Sequence, residues 1–384
     1  MRATAVAASV AASRAALLVQ WDDGTQTQFA SVWLRDNLPE DRDRFSGQRL
    51  IDVADLPAEP RIRAVTLSGK SLQVIWQTEP RVSEFGLDWL FAHSDVRWRA
   101  PAPVPCHWLE GSRMRARDDF AWQSLASIEQ SPEIRLRWLT RLLRDGIAFL
   151  SGVPQVDSGI LDAMARVGRV AETNYGLVFD VRAVPQPENL AYSDLGLGLH
   201  TDNPYREPVP GFQALHTLLA APDGGDSLFA DGLALAEELR RSEPDAFAVL
   251  TRTPVPFHYR SRAADLYAER PLIALDCTGA VSAVHYNARS IAPLHLAAAE
   301  YEAFYAAYRR WAELLRDARW QLVTRLGDGE LVLFDNQRVL HGRTGFASAR
   351  HPRHLRGCYL TRDSVYSEQA LLQRQQAGMA GESA

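Results

Sequence analysis

The feature that most constrains the fold is a succession of short strand-like runs in the second half of the chain. From about residue 190 onward, apolar, β-branched and aromatic residues form runs separated by turn residues: "LGLGLH", "FQALHTLLA", "SLFADG", "PVPFHYR", "PLIALD", "AVSAVHYN", "ELVLFDN" and "RHLRGCYLT". One long helical run, "AAAEYEAFYAAYRRWAELLRDA", interrupts them. Many short strands with a few flanking helices are typical of a β-sandwich or barrel buttressed by helices. The sequence therefore predicts a mostly β fold.

The preceding sequence predicts a small β-rich domain and a boundary. Residues 15–99 contain two hairpin patterns, one around "DDG" and one around "SGK". The proline-rich run "APAPVP", 100–105, interrupts the pattern and marks the boundary. The main domain is expected over 106–372 and includes the capped helix "SPEIRLRWLTRLLRDG". The alanine-rich residues 1–14 and the polar residues 373–384 are predicted to be flexible tails.

Charge and cysteine content narrow the class of protein. The net charge is −5, which argues against nucleic acid or an anionic membrane as the main partner. No apolar run reaches ~18 residues, so no membrane span is predicted. The three cysteines, Cys106, Cys277 and Cys358, are far apart and fit a reducing cytoplasm. A small-molecule partner is therefore expected.

The run "GLGLHTDNPY" raises the question of a metal site. In an extended strand, His200 and Asp202 point to the same face. A third ligand is available at His341, near the end of "GDGELVLFDNQRVLHGR". Two histidines and one carboxylate form a face that suits iron(II) and leaves coordination positions open. Each piece alone is equally compatible with ordinary polar residues at strand ends.

An arginine beyond the last histidine strengthens the metal hypothesis. In "RHLRGCYL", Arg353 shares a strand face with Leu355, Gly357 and Tyr359. It lies twelve residues after His341, and a hairpin is predicted to return it to the barrel interior. A guanidinium on an interior face needs an anion. The far carboxylate of a dicarboxylate co-substrate bound at the metal would supply one.

These motifs together carry a family resemblance. The histidine-x-aspartate pair, the distant "LHGR" and the later arginine resemble the iron(II)/2-oxoglutarate dioxygenases of the taurine dioxygenase superfamily. The segments "HTDNPY", "GGDSLFADG" and "RHLRGCYLTRD" resemble the γ-butyrobetaine hydroxylase branch, and "VWLRDNLP", 32–39, resembles its N-terminal domain. The resemblance extends over nearly the whole chain.

The resemblance implies a fold, cofactors and site residues. It implies a double-stranded β-helix, or jelly-roll, catalytic domain next to the small N-terminal domain. It assigns iron(II) to His200, Asp202 and His341, and it assigns 2-oxoglutarate to Arg353 with Leu215 nearby. Oxygen is the other co-substrate, ascorbate is expected to assist, and a homodimer is expected.

Two features compare this chain with the family that it resembles. Relatives carry a cysteine cluster after the "WLRDN" motif that binds structural zinc, whereas this chain has "LPEDRDRF" and no cysteine before Cys106. No zinc is therefore expected. Halogenating relatives replace the metal-binding carboxylate with a small residue. Because Asp202 is present, hydroxylation is the expected outcome.

An aromatic cage for a trimethylammonium group is implied by four matching positions: Tyr175, Phe179, Tyr192 and Tyr359. Aromatic faces attract a quaternary cation that cannot donate a hydrogen bond. The alternative is that these rings pack in the core, which is less favoured for Tyr359 because it shares a face with Arg353. A second aromatic stripe follows helical spacing and is predicted to be plain packing; it consists of Tyr301, Phe304, Tyr308 and Trp311.

Polar residues are predicted to bind the anionic end of the substrate. Asn189 matches an anion-binding position of the family. Further donors are expected from Asn203, Asn287, Arg289 and Ser290. Ala288 interrupts the paired asparagines of the familiar carboxylate site, and an arginine with extra donors would suit a phosphonate. The alternative for Arg289 is a solvated surface residue.

The sequence predicts a cytoplasmic hydroxylase of a small trimethylammonium compound with an anionic tail. The first choice of substrate is 2-(trimethylammonio)ethylphosphonate, hydroxylated at the carbon next to phosphorus. The alternative is γ-butyrobetaine, which would give carnitine. Two further alternatives are a non-catalytic sensor on the same fold and a hydroxylase of sulfonates or plain carboxylates without a cage.

Overall fold

The computed structural model of the protein describes residues 4–94, 107–110, 113–182, 193–346 and 353–382. Contacts divide the chain into two compact units, Met1–Pro101 and Ala102–Ala384. The proline-rich boundary predicted at 100–105 lies outside the described residues. Across the described ranges, none of the helices combines the length and apolar character that crossing a bilayer requires.

The N-terminal unit consists of two three-stranded antiparallel sheets and two short helices. The first sheet contains β1 (Ala5–Val10), β2 (Ala16–Trp21) and β3 (Gln26–Ala30), followed by α1 (Ser31–Asp36). The second contains β4 (Ile62–Ser68), β5 (Ser71–Trp76) and β6 (Val82–Gly86), followed by α2 (Leu87–Ala92). Their shared core buries Trp21 and Trp76, whose indole N–H groups donate to Thr27 and Ser83. Both predicted hairpins are present.

The prediction of a flexible tail over 1–14 is wrong for the middle of that segment. Residues Ala5–Val10 form strand β1, which pairs with β2 in an antiparallel register that places Val10 opposite Leu17. Alanine contributes little apolar area, so hydrophobicity alone does not show this strand. Its backbone groups nevertheless satisfy the edge of β2, and strand pairing depends on those groups more than on side-chain size.

The segment after the "WLRDN" motif is held by ion pairs. The buried Arg35 donates to Asp41 and to Glu79, each at 2.6 Å, and Arg81 donates to Asp41 at 3.1 Å. The two carboxylates and the hydrogen bonds that they accept raise the pKa of Arg35 and outweigh the effect of burial, which lowers it. These contacts tie the segment to the second sheet of the unit. The expectation that no zinc binds here remains a prediction.

The second unit contains most of the strands and the longer helices. Its first half comprises β7 (Leu109–Glu110), β8 (Arg113–Met114), β9 (Ala121–Ser124), α3 (Leu125–Gln130), α4 (Pro132–Asp145), β10 (Ile147–Ser151), α5 (Gly159–Met164), β11 (Val170–Ala171), β12 (Phe179–Arg182) and β13 (Leu197–His200). Its second half comprises β14 (Phe212–Leu219), β15 (Ser227–Asp231), α6 (Gly232–Ser242), α7 (Pro244–Arg252), β16 (Val255–Arg260), β17 (Asp265–Arg270), β18 (Ile273–Leu275), β19 (Val281–Val284), α8 (Tyr301–Arg316), β20 (Leu322–Thr324), β21 (Leu331–Asp335), β22 (Val339–Arg343), β23 (His354–Leu360) and α9 (Arg362–Glu382).

Two sheets of this unit form a jelly roll. The larger has the order β11-β23-β14-β21-β10-β9, with β12 also paired to β23, and the smaller has the order β13-β22-β15-β20. Their inner faces meet where Phe229 of the smaller sheet contacts Phe334 of the larger sheet at a ring distance of 5.5 Å. Fully buried Phe149, Val332 and Val339 complete this core. The predicted mostly β fold with flanking helices is confirmed.

The helices follow from local sequence signals. Ser131 caps α4 by accepting from the backbone N–H of Ile134, proline begins the helix, and Gly146 ends it in a left-handed conformation with φ 79°. In α8, Phe304 and Trp311 are buried against the core, so the predicted packing role of that aromatic stripe is correct.

The predicted C-terminal tail over 373–384 is not observed as such. Helix α9 continues to Glu382, and Leu372 in its middle is buried. The segment contains three alanines and three glutamines, which are favourable in helices. Its polar composition suggested disorder, but intrinsic helix propensity and the anchored first half of α9 favour continuation of the helix.

Candidate active site

Three side chains converge between the two sheets of the second unit. His200 is the last residue of β13, His341 lies in β22 directly opposite it, and Asp202 lies in the bend after β13. The ligand atoms of these residues all lie within 4.8 Å of one another. His200 Nε2 is 3.4 Å from Asp202 Oδ1, and His341 Nε2 is 3.8 Å from Asp202 Oδ2. One ion could therefore contact all three.

The structure corrects three details of the predicted geometry. Asp202 does not share a strand face with His200, because β13 ends at His200 and the bend delivers the carboxylate instead. The run predicted as one strand before His341 is two strands, β21 and β22, in different sheets. Arg353 directly precedes β23, which belongs to the larger sheet and does not form a hairpin with β22.

The bend that carries Asp202 is fixed by a buried amide. Asn336, which is fully buried in the turn between β21 and β22, accepts from the backbone N–H of Asp202 at 2.7 Å. It also donates to the carbonyl of Asp202 at 3.0 Å and to that of Pro210 at 3.2 Å. Tyr359 donates its hydroxyl to Asp202 Oδ2 at 2.8 Å. Both the backbone and the carboxylate of Asp202 are thereby oriented.

The electrostatic state of the cluster suits a divalent cation. Burial and the neighbouring His200 lower the pKa of His341 to about 3, so its imidazole is neutral at physiological pH. Burial would raise the pKa of Asp202, but both imidazoles and the Tyr359 hydroxyl more than offset this and lower it. His200 places Nδ1 against the carbonyl of Gly198 at 2.9 Å, which leaves Nε2 facing the cluster. Two imidazoles and one carboxylate match the donor set preferred by iron(II).

A cavity of about 440 Å³ opens over this cluster, and Arg353 and Leu215 line it. Arg353 is 8% exposed, and within the described residues no carboxylate lies at ion-pair distance from it. Burial and the nearby Arg343 lower the pKa of Arg353 to about 10. Gly225, with φ 67°, lets the stem of Arg353 pass, since a Cβ there would lie 2.9 Å from its Cδ.

Three of the four predicted cage residues line the same cavity. Phe179 contacts Tyr359 at a ring distance of 5.1 Å and Tyr175 at 6.2 Å. Phe179 lies directly over Gly357, where a Cβ would be 2.4 Å from the ring. The fourth, Tyr192, lies outside the described residues, as does Asn189. The aromatic residues that the structure describes are therefore at the cavity wall rather than in a remote core.

The polar residues predicted to bind the anionic end of the substrate line another part of the cavity wall; they are Asn203, Asn287, Arg289 and Ser290. Asn287 donates to the carbonyl of Thr201 at 3.2 Å and accepts from the backbone N–H of Arg289 at 3.3 Å. Arg289 keeps much of its surface exposed, yet burial of its guanidinium beside the cavity lowers its pKa. Arg289 both lines the cavity and is partly solvated, so its role in binding an anion remains a prediction.

Several lining or supporting residues were not predicted from the sequence: Tyr205, Gln213, Tyr259, Asn336 and Arg343. Tyr205 stacks on Tyr259 at 5.2 Å with an interplanar angle of 18°. Gln213 does have a sequence signal, because it precedes Leu215 by two and shares its strand face. Tyr259 and Asn336 have none, since hairpin and turn packing bring them to the site.

The jelly roll and its histidine–aspartate–histidine cluster define the class of non-haem iron dioxygenases. The chain matches the family model "Taurine catabolism dioxygenase TauD, TfdA family" over residues 115–359 and the model "Gamma-butyrobetaine hydroxylase-like, N-terminal" over residues 9–91. The chain belongs to the TauD/TfdA family and is an iron(II)- and 2-oxoglutarate-dependent dioxygenase of the γ-butyrobetaine hydroxylase type. The predicted family and enzyme class are thereby confirmed, as is the predicted use of iron(II) and 2-oxoglutarate.

Relatives align with almost the whole chain. It is 34% identical to γ-butyrobetaine dioxygenase of Pseudomonas sp. (strain AK-1) over 374 residues, which covers 96% of each chain. It is 27% identical to the human γ-butyrobetaine dioxygenase over 373 residues, covering 93% of this chain and 94% of that protein. It is also 27% identical to trimethyllysine dioxygenase of Meyerozyma guilliermondii over 378 residues, covering 93% of each.

Proposed function

We propose that this enzyme hydroxylates γ-butyrobetaine, a small trimethylammonium carboxylate, to form carnitine. The observation that carries the proposal is a single cavity in which aromatic faces and polar donors flank one histidine–aspartate–histidine cluster. The similarity to a γ-butyrobetaine dioxygenase over 96% of the chain supports it. The sequence alone favoured the phosphonate, and the relatives shift the balance to the carboxylate.

In this proposal, His200, Asp202 and His341 hold the iron. Iron(II) together with 2-oxoglutarate and oxygen supplies the oxidising power that an unactivated C–H bond requires. The chain holds the ligands in place: the carbonyl of Gly198 orients His200, and Asn336 and Tyr359 orient Asp202. Loss of such supporting hydrogen bonds commonly lowers metal affinity by about 10- to 100-fold.

Arg353 is proposed to bind the far carboxylate of 2-oxoglutarate. It is a buried guanidinium at the cavity wall with no carboxylate at ion-pair distance among the described residues. A buried charge without a partner is unfavourable, and a bidentate carboxylate relieves this cost. Leu215 lines the same cavity and would contact the apolar middle of the co-substrate. Both assignments agree with those expected from the family resemblance.

The trimethylammonium group is proposed to bind against Tyr175, Phe179 and Tyr359. The rings of Phe179 and Tyr359 lie 5.1 Å apart at the cavity wall, so a methylated nitrogen can contact more than one ring. Each such contact contributes ~0.5–2 kcal/mol. A cation that cannot donate a hydrogen bond loses little water there, whereas an amine with N–H groups would lose its hydrogen-bonded water.

The carboxylate of the substrate is proposed to meet the polar wall formed by Asn203, Asn287, Arg289 and Ser290. The guanidinium supplies charge and the amides supply directed N–H donors. Binding both ends of a small zwitterion fixes the carbon chain between them relative to the metal cluster. Restricting the substrate in this way accounts for selective attack on one carbon.

A second candidate, 2-(trimethylammonio)ethylphosphonate, is favoured by one observation. Arg289 reaches the cavity beside Asn287, and burial lowers the pKa of its guanidinium. A phosphonate has three acceptor oxygens and more charge than a carboxylate, so it would satisfy more of these donors. Each buried donor left unpaired by the smaller group costs ~1–3 kcal/mol.

A competition assay distinguishes the two candidates. The enzyme is given iron(II), 2-oxoglutarate and equal concentrations of both substrates, and each hydroxylated product is measured by mass spectrometry. We expect the carnitine product to dominate. If the hydroxyphosphonate dominates by tenfold or more (~1.4 kcal/mol), the second candidate replaces the first.

Two variants locate the anion site in the same assay. Arg289→Gln should lower kcat/KM for whichever acid is the true substrate. Arg262→Gln is the matched control, because Arg262 is exposed in the turn between β16 and β17. If neither acid yields product while succinate still forms with other quaternary amines, the anionic-tail assignment is wrong. If no succinate forms with any of them, the substrate lies outside the class of small trimethylammonium compounds.

A further inference from the structure

The side-chain amide of Asn203 has an unused donor in the cavity. Asn203 directly follows the proposed metal ligand Asp202, is 4% exposed, and lines the cavity. Its backbone adopts φ 54°, a left-handed conformation that asparagine tolerates better than most residues. Its Nδ2 is buried and has no hydrogen-bond partner among the residues that the structure describes. A buried N–H₂ group of this kind needs an acceptor, which none of those residues supplies.

The other end of the amide is held by a tyrosine. The hydroxyl of Tyr205 donates to Asn203 Oδ1 at 2.7 Å, and the hydroxyl of Tyr175 lies 3.3 Å from that of Tyr205. The hydroxyl of Tyr205 has one hydrogen, which it uses in the hydrogen bond to Asn203. Tyr175 must therefore be the donor in the hydrogen bond between the two tyrosine hydroxyls. The direction of these two hydrogen bonds places the amide oxygen of Asn203 toward Tyr205. The N–H₂ group is therefore the donor at the other end of the amide.

The ring of Tyr205 is itself fixed. It is 6% exposed and stacks on Tyr259 at 5.2 Å, and Tyr259 also meets Tyr175 edge to face at 6.0 Å. Burial raises the pKa of Tyr205 further than the Tyr175 hydrogen bond lowers it, so the hydroxyl remains a donor near neutral pH. The hydroxyl that orients the amide therefore belongs to a ring that is itself held in place by packing.

We propose that Tyr205 is a positioning residue for substrate recognition: it turns the Asn203 amide so that its N–H₂ group donates to the anionic group of the substrate. This inference rests on the proposed function, because it takes the acceptor from the substrate's acidic tail. A neutral N–H₂ group suits a carboxylate or phosphonate oxygen and offers nothing to a quaternary cation. Without the tyrosine hydroxyl, the amide can rotate and present its oxygen to the anion, which is repulsive.

The test is a double-mutant cycle on KM for γ-butyrobetaine. Tyr205→Phe removes only the hydroxyl and keeps the ring stacked on Tyr259. A hydrogen bond to a charged group is typically worth enough to change binding by roughly tenfold to a hundredfold. We expect Tyr205→Phe and Asn203→Ala each to raise this KM by about that factor. The double variant should be no worse than Asn203→Ala alone, because the tyrosine acts through the amide.

Two readouts separate positioning from a general loss of structure. KM for 2-oxoglutarate should stay within about twofold of wild type in every variant, which is a change too small to reflect loss of one hydrogen bond. Tyr308→Phe is the matched control, because it removes a partly buried hydroxyl that lies against Tyr286 on the α8 side of the core. It should leave both KM values unchanged. Melting temperatures establish that each variant is folded.

Each outcome decides between the inference and its premise. If wild type turns over γ-butyrobetaine and Tyr205→Phe has an unchanged KM, the positioning role is wrong while the proposed function stands. Additive effects in the cycle would also overturn it, since the two residues would then act independently. A selective rise in KM for 2-oxoglutarate would assign the amide to the co-substrate. If wild type neither binds nor turns over any trimethylammonium acid, the proposed function fails and this inference fails with it.

Discussion

Replacing Arg353 by leucine should have opposite effects on the ligand-free protein and on co-substrate binding. The arginine is 8% exposed, and burial and Arg343 together lower its pKa from 12.5 to about 10. That difference corresponds to a cost of about 3 kcal/mol for keeping the guanidinium charged in the fold at neutral pH. Leucine removes this charge and retains much of the apolar contact. The ligand-free variant should therefore be at least as stable as wild type.

Binding of 2-oxoglutarate should weaken strongly in the same variant. The far carboxylate of 2-oxoglutarate would be buried without a charge partner, which costs roughly 3–5 kcal/mol. The affinity for 2-oxoglutarate should therefore fall by roughly a hundredfold to several thousandfold. Because the proposed metal ligands belong to β13, the bend after it and β22, whereas Arg353 directly precedes β23, metal binding should be largely retained.

The assay measures the melting temperature with and without 2-oxoglutarate and the 2-oxoglutarate dependence of succinate formation. Arg356→Leu is the matched control, because Arg356 lies in β23 on the opposite face and pairs with Asp180 and Asp157. We expect only Arg353→Leu to lose the stabilisation by 2-oxoglutarate. The reasoning is refuted if Arg353→Leu keeps wild-type affinity while Arg356→Leu loses it, or if the ligand-free Arg353→Leu protein melts far below wild type.

Three other predictions concern the metal, the cage and acid stability. His341→Ala should abolish both turnover and iron binding measured by titration, and retained activity would contradict its role as a ligand. Phe179→Leu should shrink the preference for trimethyl over dimethyl substrates by about 0.5–2 kcal/mol, measured as a ratio of kcat/KM, with no change expected in KM for 2-oxoglutarate. Buried Asp145 pairs with Arg115 at 3.0 Å; burial would raise its pKa, but its guanidinium neighbours more than offset this and lower it. The stabilising effect of the Asp145 carboxylate is therefore present above the unfolded pKa of about 4 and is lost as pH falls through the lower folded value. Asp145→Asn should accordingly lower the free energy of unfolding, measured in urea at pH 7, by about 3–5 kcal/mol, and by much less in strong acid.

The parts of the fold that sequence reasoning predicted were those with a regular pattern. Alternation placed Arg353, Leu355 and Tyr359 on one face of the segment 353–359, and all three line the cavity. The capped helix α4 and the hairpin β2–β3 also have local signals that do not depend on distant contacts. Strand β1 and the second half of α9 were missed because alanine and glutamine carry little hydrophobic signal, although their backbones pair or coil readily.

The parts of the site that were missed depend on contacts between distant segments. The turn residue Asn336 reaches Asp202 across 134 positions, and Tyr259 reaches Tyr205 from a hairpin more than fifty positions later. Neither residue has a periodicity or motif that marks it. The positive-φ conformation of Asn203 is also invisible in the sequence, yet it sets where the amide points. Such features follow from the packing of the two sheets rather than from local propensity.

The bend after β13 joins metal binding and substrate recognition in one short segment. His200 and Asp202 are the proposed ligands, and Asn203 and Tyr205 follow within three residues. Asn336 clamps the backbone of this bend from the turn between β21 and β22, and His341 stands only five residues beyond it. A displacement of the bend would therefore move the carboxylate ligand and the substrate donor together. Placement errors near 1 Å at a reacting centre reduce rates by as much as about a hundredfold. The rigid, fully buried amide of Asn336 therefore supports metal binding and substrate placement at the same time.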